Sequence, residues 1–141
     1  GLAVSAMAVS AQRGQPASSM ADTAKAFLAT LDADQRARAV FPFQSDERLN
    51  WHFIPRARKG LPLKEMKENQ RQAALRLLAA GLSEKGYEKA GSIRELEKIL
   101  KVVEMGRGPV RDPELYFFTV FGDPGKGNWG WRYEGHHCAM N

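Results

Sequence analysis

The segment from Tyr116 to Tyr133 constrains this fold more than any other. Tyr116, Phe117, Phe118, Thr119, Val120 and Phe121 are consecutive strong β-formers. Gly122-Asp123-Pro124-Gly125-Lys126-Gly127-Asn128 follows, and then Trp129, Trp131 and Tyr133 at alternate positions. Two β-forming runs around a Gly/Pro-rich loop predict an antiparallel hairpin, with one strand over 114–121 and a return strand from Trp129.

The residues before this hairpin read mostly as helix. Ser19 can cap a helix running to about Leu31, with Ala24, Phe27, Leu28 and Leu31 on one face. Asp32 or Asp34 can cap a short second helix through Val40, which Pro42 stops. Phe41 and Phe43, then Leu49, Trp51 and Phe53, alternate with polar residues around Ser45-Asp46-Glu47-Arg48 and predict two short strands. A long helix is expected over about 63–82, with Leu63, Met66, Ala73, Ala74, Leu77 and Leu78 on its apolar stripe. Gln70 lies on that stripe, so it is expected to be hydrogen-bonded there. A further helix over about 83–104 would turn Ile93, Leu96, Leu100 and Val103 inward. Together these elements predict an α+β fold, with a helical N-terminal part packed on an antiparallel sheet.

A chain of 141 residues is one domain's worth or less. It opens with Gly1-Leu2-Ala3-Val4-Ser5-Ala6-Met7-Ala8-Val9-Ser10-Ala11, which is small, apolar and uncharged. Val9-Ser10-Ala11 suits a signal-peptidase site, so residues 1–11 read as the tail of a secretory leader and the protein as exported, periplasmic or extracellular. Residues 12–18 read as a linker and 19–141 as the N-terminal part of one domain. Eleven residues fall short of the ~20 that a membrane-spanning helix needs, so no integral membrane segment is expected. The chain stops at Asn141 inside an expected strand, so a C-terminal half of the same chain is expected to be missing. Cys138 has no partner for an internal disulfide and reads as a small buried side chain.

The net charge of +5 comes from one stretch. Between Ile54 and Arg76 stand Arg56, Arg58, Lys59, Lys64, Lys67, Arg71 and Arg76 against Glu65 and Glu68. The interleaved carboxylates describe a solvated face rather than a nucleic-acid footprint, so no nucleic-acid partner is expected.

The histidines, His52, His136 and His137, lie near acidic, basic and aromatic neighbours. In a regular strand Trp129, Trp131, Tyr133, Gly135 and His137 share one face, and Gly130, Arg132, Glu134, His136 and Cys138 the other. The paired histidines then point apart, unless the backbone is irregular at Gly135. Three functional readings compete. His136 and His137, with Glu134 and His52 as further candidates, can hold a divalent metal, since mixed His/carboxylate ligands suit zinc, iron or copper. Glu134 or His136 can act as general acid or base, with Arg132 holding an anionic group, in hydrolytic or redox chemistry. Trp131 on the aromatic face and Arg58 in the basic loop can instead bind a small molecule or extracellular ligand without chemistry. The alternative to all three is that Trp and Tyr fill a core, Arg132 pairs with Glu134 and the histidines bond to backbone.

The order of several motifs resembles one family. Phe41-x-Phe43, Arg48-x-x-Trp51-x-x-x-Pro55, Arg58-Lys59-Gly60-Leu61 and the Gln70 helix come first. Leu82-Ser83-x-x-Gly86-Tyr87 and Arg111-Asp112-Pro113-x-x-Tyr116-x-x-Thr119-x-Phe121-Gly122 follow, then Trp129-Gly130-Trp131 through Glu134-Gly135-His136-His137. This series is similar to the family called domain of unknown function 3500, over residues 21 to 141. The resemblance implies a longer domain, often behind an export leader, with no activity to carry over. It groups Trp131, Glu134, His136 and His137 towards a shared site. His52 lies outside the pattern, and Cys138 stands where an aliphatic residue is usual.

Overall fold

The structure, a computed structural model, describes residues 17–141. The expected leader and residues 12–16 of the expected linker lie outside the described residues. The chain runs through helices α1 (Ala17–Ala29) and α2 (Ala33–Ala39) into strand β1 (Val40–Phe41). After a 3-10 turn at Asp46–Leu49 come β2 (Leu61–Pro62), α3 (Glu68–Ala80) and α4 (Glu84–Val103). Strands β3 (Phe117–Asp123), β4 (Lys126–Gly135) and β5 (Cys138–Met140) complete an α+β fold. No helix among the described residues is long and apolar enough to cross a membrane.

The helix starts follow their caps. α1 begins at Ala17, so Ser19 lies inside its first turn rather than ahead of it. Asp32 accepts from Gln35 N at 2.8 Å and the Gln35 side chain accepts from Asp32 N at 3.2 Å, a capping box that starts α2. Ser83 accepts from Gly86 N at 3.1 Å and starts α4. The long helix expected from Leu63 is a 3-10 turn over Leu63–Glu65 and then α3. Both parts bury the expected stripe, because Leu63, Met66, Ala73, Ala74, Leu77 and Leu78 all face the core. Gln70 is buried among them. It donates to Thr30 O at 2.8 Å, accepts from Lys67 N at 2.8 Å and exchanges amide bonds with Gln35 at 2.7 and 3.1 Å. A polar side chain is tolerated on an apolar stripe because every part of its amide is satisfied.

β3 is the central strand. It pairs antiparallel with β4, from Phe117 opposite Glu134 to Phe121 opposite Gly130, and β5 extends the sheet from β4. The hairpin is tighter than its seven-residue Gly/Pro loop suggests, since Asp123 already pairs with Lys126. The loop glycines allow this: Gly122 and Gly125 take φ of 79° and 80°. On the other side of β3, β1 runs parallel beside Val120 and Phe121, and β2 antiparallel beside Phe118 and Phe117. The sheet is therefore mixed, with one short parallel pairing added to the expected antiparallel ladder. Phe27 of α1 packs on Phe118 at a centroid distance of 5.8 Å, which joins the helical layer to the sheet.

Two further expectations fail. Leu49, Trp51 and Phe53 form no strand; they follow or end the 3-10 turn and are 69%, 44% and 56% exposed. The backbone of their neighbours Asn50, His52 and Ile54 bonds to charged side chains instead of to a neighbouring strand, and Phe53 O accepts from His137 N. On α4, Leu96 and Val103 are exposed, while the buried line runs through Ala90, partly buried Ile93 and Glu97. At about 100° per residue, Leu96 and Val103 sit well round from that line. A carboxylate takes the inward place because it meets charged partners there.

Candidate functional site

β4 is buried on both faces at its end, and one face is ionic. Arg132 is 0% and Glu134 1% exposed. The Arg132 Nη2 donates to Glu47 Oε1 at 2.7 Å, and its Nη1 donates to the carbonyls of Glu47 and Asn50 at 2.7 and 3.2 Å. Its Nε lies 2.9 Å from Glu134 Oε1. The other oxygen of Glu134 accepts from His52 N at 3.0 Å and lies 3.6 Å from Arg58 Nε. Arg58 Nη2 donates to the carbonyls of His52, Ile54 and Gly135 at 2.9, 2.6 and 3.0 Å. Two guanidinium groups and two carboxylates thus balance each other and hold the 47–58 segment against the sheet. Burying them separately would be costly; together their charges offset one another, although the Nε of Arg58 and of Arg132 make no hydrogen bond.

Three of the residues singled out in the sequence, Arg132, Glu134 and Arg58, therefore lie in this closed network. His52 lies at its rim, with its Nε2 2.7 Å from Arg56 Nη1 and 3.0 Å from Asn50 Oδ1.

The network gives an acid sensitivity. Burial alone would raise the Glu47 carboxyl, but hydrogen bonds from Arg132 and Asn50 and the charges of Arg132 and Lys59 hold it below its ordinary value of 4.5. A folded value below the unfolded one contributes stability that is full above about 4.5 and is lost as pH falls through the folded value. Urea midpoints measured from pH 6 to pH 3 are expected to fall. Glu47→Gln, measured alongside, should flatten part of that slope; an identical slope would contradict the assignment.

The strand ends at Gly135, and His136 and His137 form a two-residue turn into β5. His137 takes φ of 64°, outside the usual range for a side-chain-bearing residue. The imidazoles do not point to opposite faces, as regular alternation requires. They stack with centroids 3.8 Å apart and planes 20° from parallel. Three contacts set the turn. The Tyr116 hydroxyl donates to His136 O at 2.6 Å, His137 N donates to Phe53 O at 2.8 Å, and the Tyr116 ring occupies the space over Gly135.

Glu97 comes to this turn from α4, with Oε1 3.3 Å from His136 Nδ1. One ligand atom each from Glu97, His136 and His137 lies within 4.8 Å of the others. Glu97 is buried, His136 partly buried and His137 exposed, so the group opens to solvent on one side. Arg111, from the loop after α4, completes the cluster. Its Nη1 is 2.5 Å from His136 Nδ1 and 3.4 Å from Glu97 Oε1, and its Nε and Nη2 donate to Glu104 at 2.8 and 2.6 Å. Burial pushes the His136 imidazolium down, helped by His137 and Arg111 and opposed by Glu97, so its value is below the ordinary 6.5. The ring is neutral at neutral pH and keeps a lone pair for a ligand.

Glu97 and Glu104 were not singled out in the sequence, and Arg111 only as the first residue of a motif. The available signal was Glu97 four residues after Ile93 and three before Leu100, a carboxylate on a face expected to be buried.

Trp131 belongs to a different place. It lines a cleft of about 450 Å³ together with Phe43, Arg48, Trp51 and Trp129. Its indole N–H donates to Met20 Sδ at 3.2 Å, and a side chain at Gly81 would strike its ring. Neither histidine of the turn lines that cleft. Cys138 is a buried free thiol, raised by burial, as its packing role implies.

Fold and site together define an α+β fold with a His-His hairpin turn facing a buried glutamate. The chain belongs to the family described as protein of unknown function (DUF3500), whose model matches residues 13–141. No curated protein and no solved structure matches it.

Proposed function

We propose that the protein binds a divalent first-row metal through Glu97, His136 and His137 and uses it in hydrolytic or redox chemistry on a small molecule. The observation that carries this reading is the approach of the three ligand atoms to within 4.8 Å. Nitrogen and carboxylate donors together suit zinc, iron or copper. Three protein ligands leave a fourth position for water or substrate, as catalytic rather than purely structural centres do. The lowered His136 favours the neutral ligand form. In this reading Arg132 and Glu134 are support: their network holds β4, and with it the turn. The protein acts after export, on an extracellular or periplasmic substrate.

The test is metal analysis of protein purified without an affinity tag, followed by zinc titration. One equivalent of metal is expected. Zinc at a hundredfold excess over its dissociation constant should add about 2.7 kcal/mol to unfolding, a gain that His136→Ala and His137→Ala should each remove. No retained metal together with no stabilisation by zinc would sink the reading.

A second reading, a binding module without chemistry, is favoured by the aromatic cleft. Trp51, which lines it, is 44% exposed, and the Arg48 guanidinium lies 4.5 Å from the centre of the Phe43 ring. Tryptophan fluorescence that responds to a ligand in both histidine variants, but not in Trp51→Ala, would support it over the metal.

A further inference from the structure

We infer that Arg111 is an internal competitor for the metal, a guanidinium that holds the cation position and must withdraw for an ion to enter. The inference rests on the metal reading above and concerns how that site is controlled. Arg111 Nη1 lies 2.5 Å from Nδ1 and 3.5 Å from Nε2 of His136, and 3.4 Å from Glu97 Oε1. Nδ1 is the His136 nitrogen that faces Glu97 Oε1, at 3.3 Å, and an ion shared by these two atoms would have to lie beside that guanidinium nitrogen. Zinc binds nitrogen and carboxylate oxygen at ~2.0–2.2 Å, so a divalent ion between these atoms and Nη1 in its present place exclude each other.

The arrangement also supplies the way out. Arg111 grips Glu104 through Nε and Nη2, leaving Nη1 as its only hold on the site. Glu97 and Glu104 are seven residues apart, so both carboxylates project from nearly the same side of the helix. The Glu97 side chain is 2% and that of Glu104 28% exposed, so the outer carboxylate can keep the guanidinium as it swings towards water. Without metal, Arg111 is the counterion of a buried glutamate, a group that would otherwise be strongly disfavoured. With metal, the ion takes over that duty. Metal affinity is therefore the difference between two cations competing for one carboxylate and one imidazole.

Cobalt(II) titration of the full chain, followed by its visible absorption, tests this. Arg111→Met is expected to bind Co²⁺ on the order of 10- to 100-fold more tightly than the unaltered protein, with the same spectrum. Its melting temperature without metal should be lower, and saturating Co²⁺ should close most of that gap. Arg111→Gln should behave alike if the methionine variant folds poorly. In the unaltered protein, ¹⁵N signals of the Arg111 guanidinium should shift on adding Zn²⁺, while the Nε–H contact to Glu104 persists. Unchanged or weaker Co²⁺ binding by the Arg111 variants, with binding still lost in His136→Ala, would overturn the competition and leave the metal site standing. Unmoved guanidinium signals in zinc-loaded protein would overturn it too. Absence of Co²⁺ binding in every variant would overturn both.

Discussion

Arg132→Met should cost about 3–5 kcal/mol of stability, the usual penalty for removing one partner from a buried ion pair. The side chain is fully buried, and its loss leaves Glu134 and Glu47 facing each other with only Arg58 and Lys59 near. It also strands the carbonyls of Glu47 and Asn50. Urea unfolding followed by fluorescence gives the number. The double variant Arg132→Met/Glu134→Met separates the cost of an orphaned charge from the worth of the pair, and should lose less than the sum of the single changes. A single-variant loss under about 1 kcal/mol would mean that water reaches these groups.

Gly135→Ala should cost roughly 2–4 kcal/mol, from overpacking and one lost hydrogen bond. A Cβ there would fall 2.5 Å from Cδ1 and 2.6 Å from Cε1 of Tyr116. That ring has no room to retreat, being fully buried and stacked on Tyr133 with centroids 5.4 Å apart. Moving it would also break the hydroxyl bond to His136 O, so the turn should shift with it. Gly91→Ala is the natural control. Gly91 lies within α4 with nothing inside 4 Å of a Cβ, and alanine there should stabilise by up to about 1 kcal/mol. Chemical denaturation of both variants, with metal affinity measured on the folded protein, checks the pair. If both glycine variants stabilise, the close approach of Tyr116 is refuted.

Much of the fold was legible in the residues. The aromatic run at Tyr116–Phe121 marked the central strand, Asp32 or Asp34 marked a helix start, and the Leu77/Leu78 stripe marked a core face. Gln70 could be placed because a polar residue on such a stripe needs partners. What failed shares one physical cause. Leu49, Trp51 and Phe53 alternate as strand residues do, but alternation does not say whether a neighbouring strand exists. The charges of Arg132, Arg58 and Glu134 take the neighbour's role, and they come from 4 to 85 residues away in sequence. Glu97 was overlooked for the same reason: a helical face is read by its apolar residues, and a carboxylate turns inward only when distant partners wait for it. Candidate-site residues divided likewise. His136 and His137 were recognisable as a pair, but alternation turned them apart unless the backbone were irregular at Gly135; the turn that stacks them depends on Tyr116 and on a bond to Phe53 O. Trp131 and the Arg132–Glu134 pair leave β4 for separate surroundings, which strand alternation alone anticipates only in part.

β1 and β2 touch β3 over two residues each, one at either end of its outer edge. A central strand of bulky aromatic residues is otherwise an inviting template for another molecule's backbone. Here the two short strands occupy that margin from opposite directions, with only Thr119 between their registers. Gly60 covers even this gap, as a Cβ on it would lie 2.4 Å from Thr119 Oγ1. This aromatic run is thereby denied to intermolecular pairing by four residues and a glycine, long before any question of chemistry at the opposite side of the sheet arises.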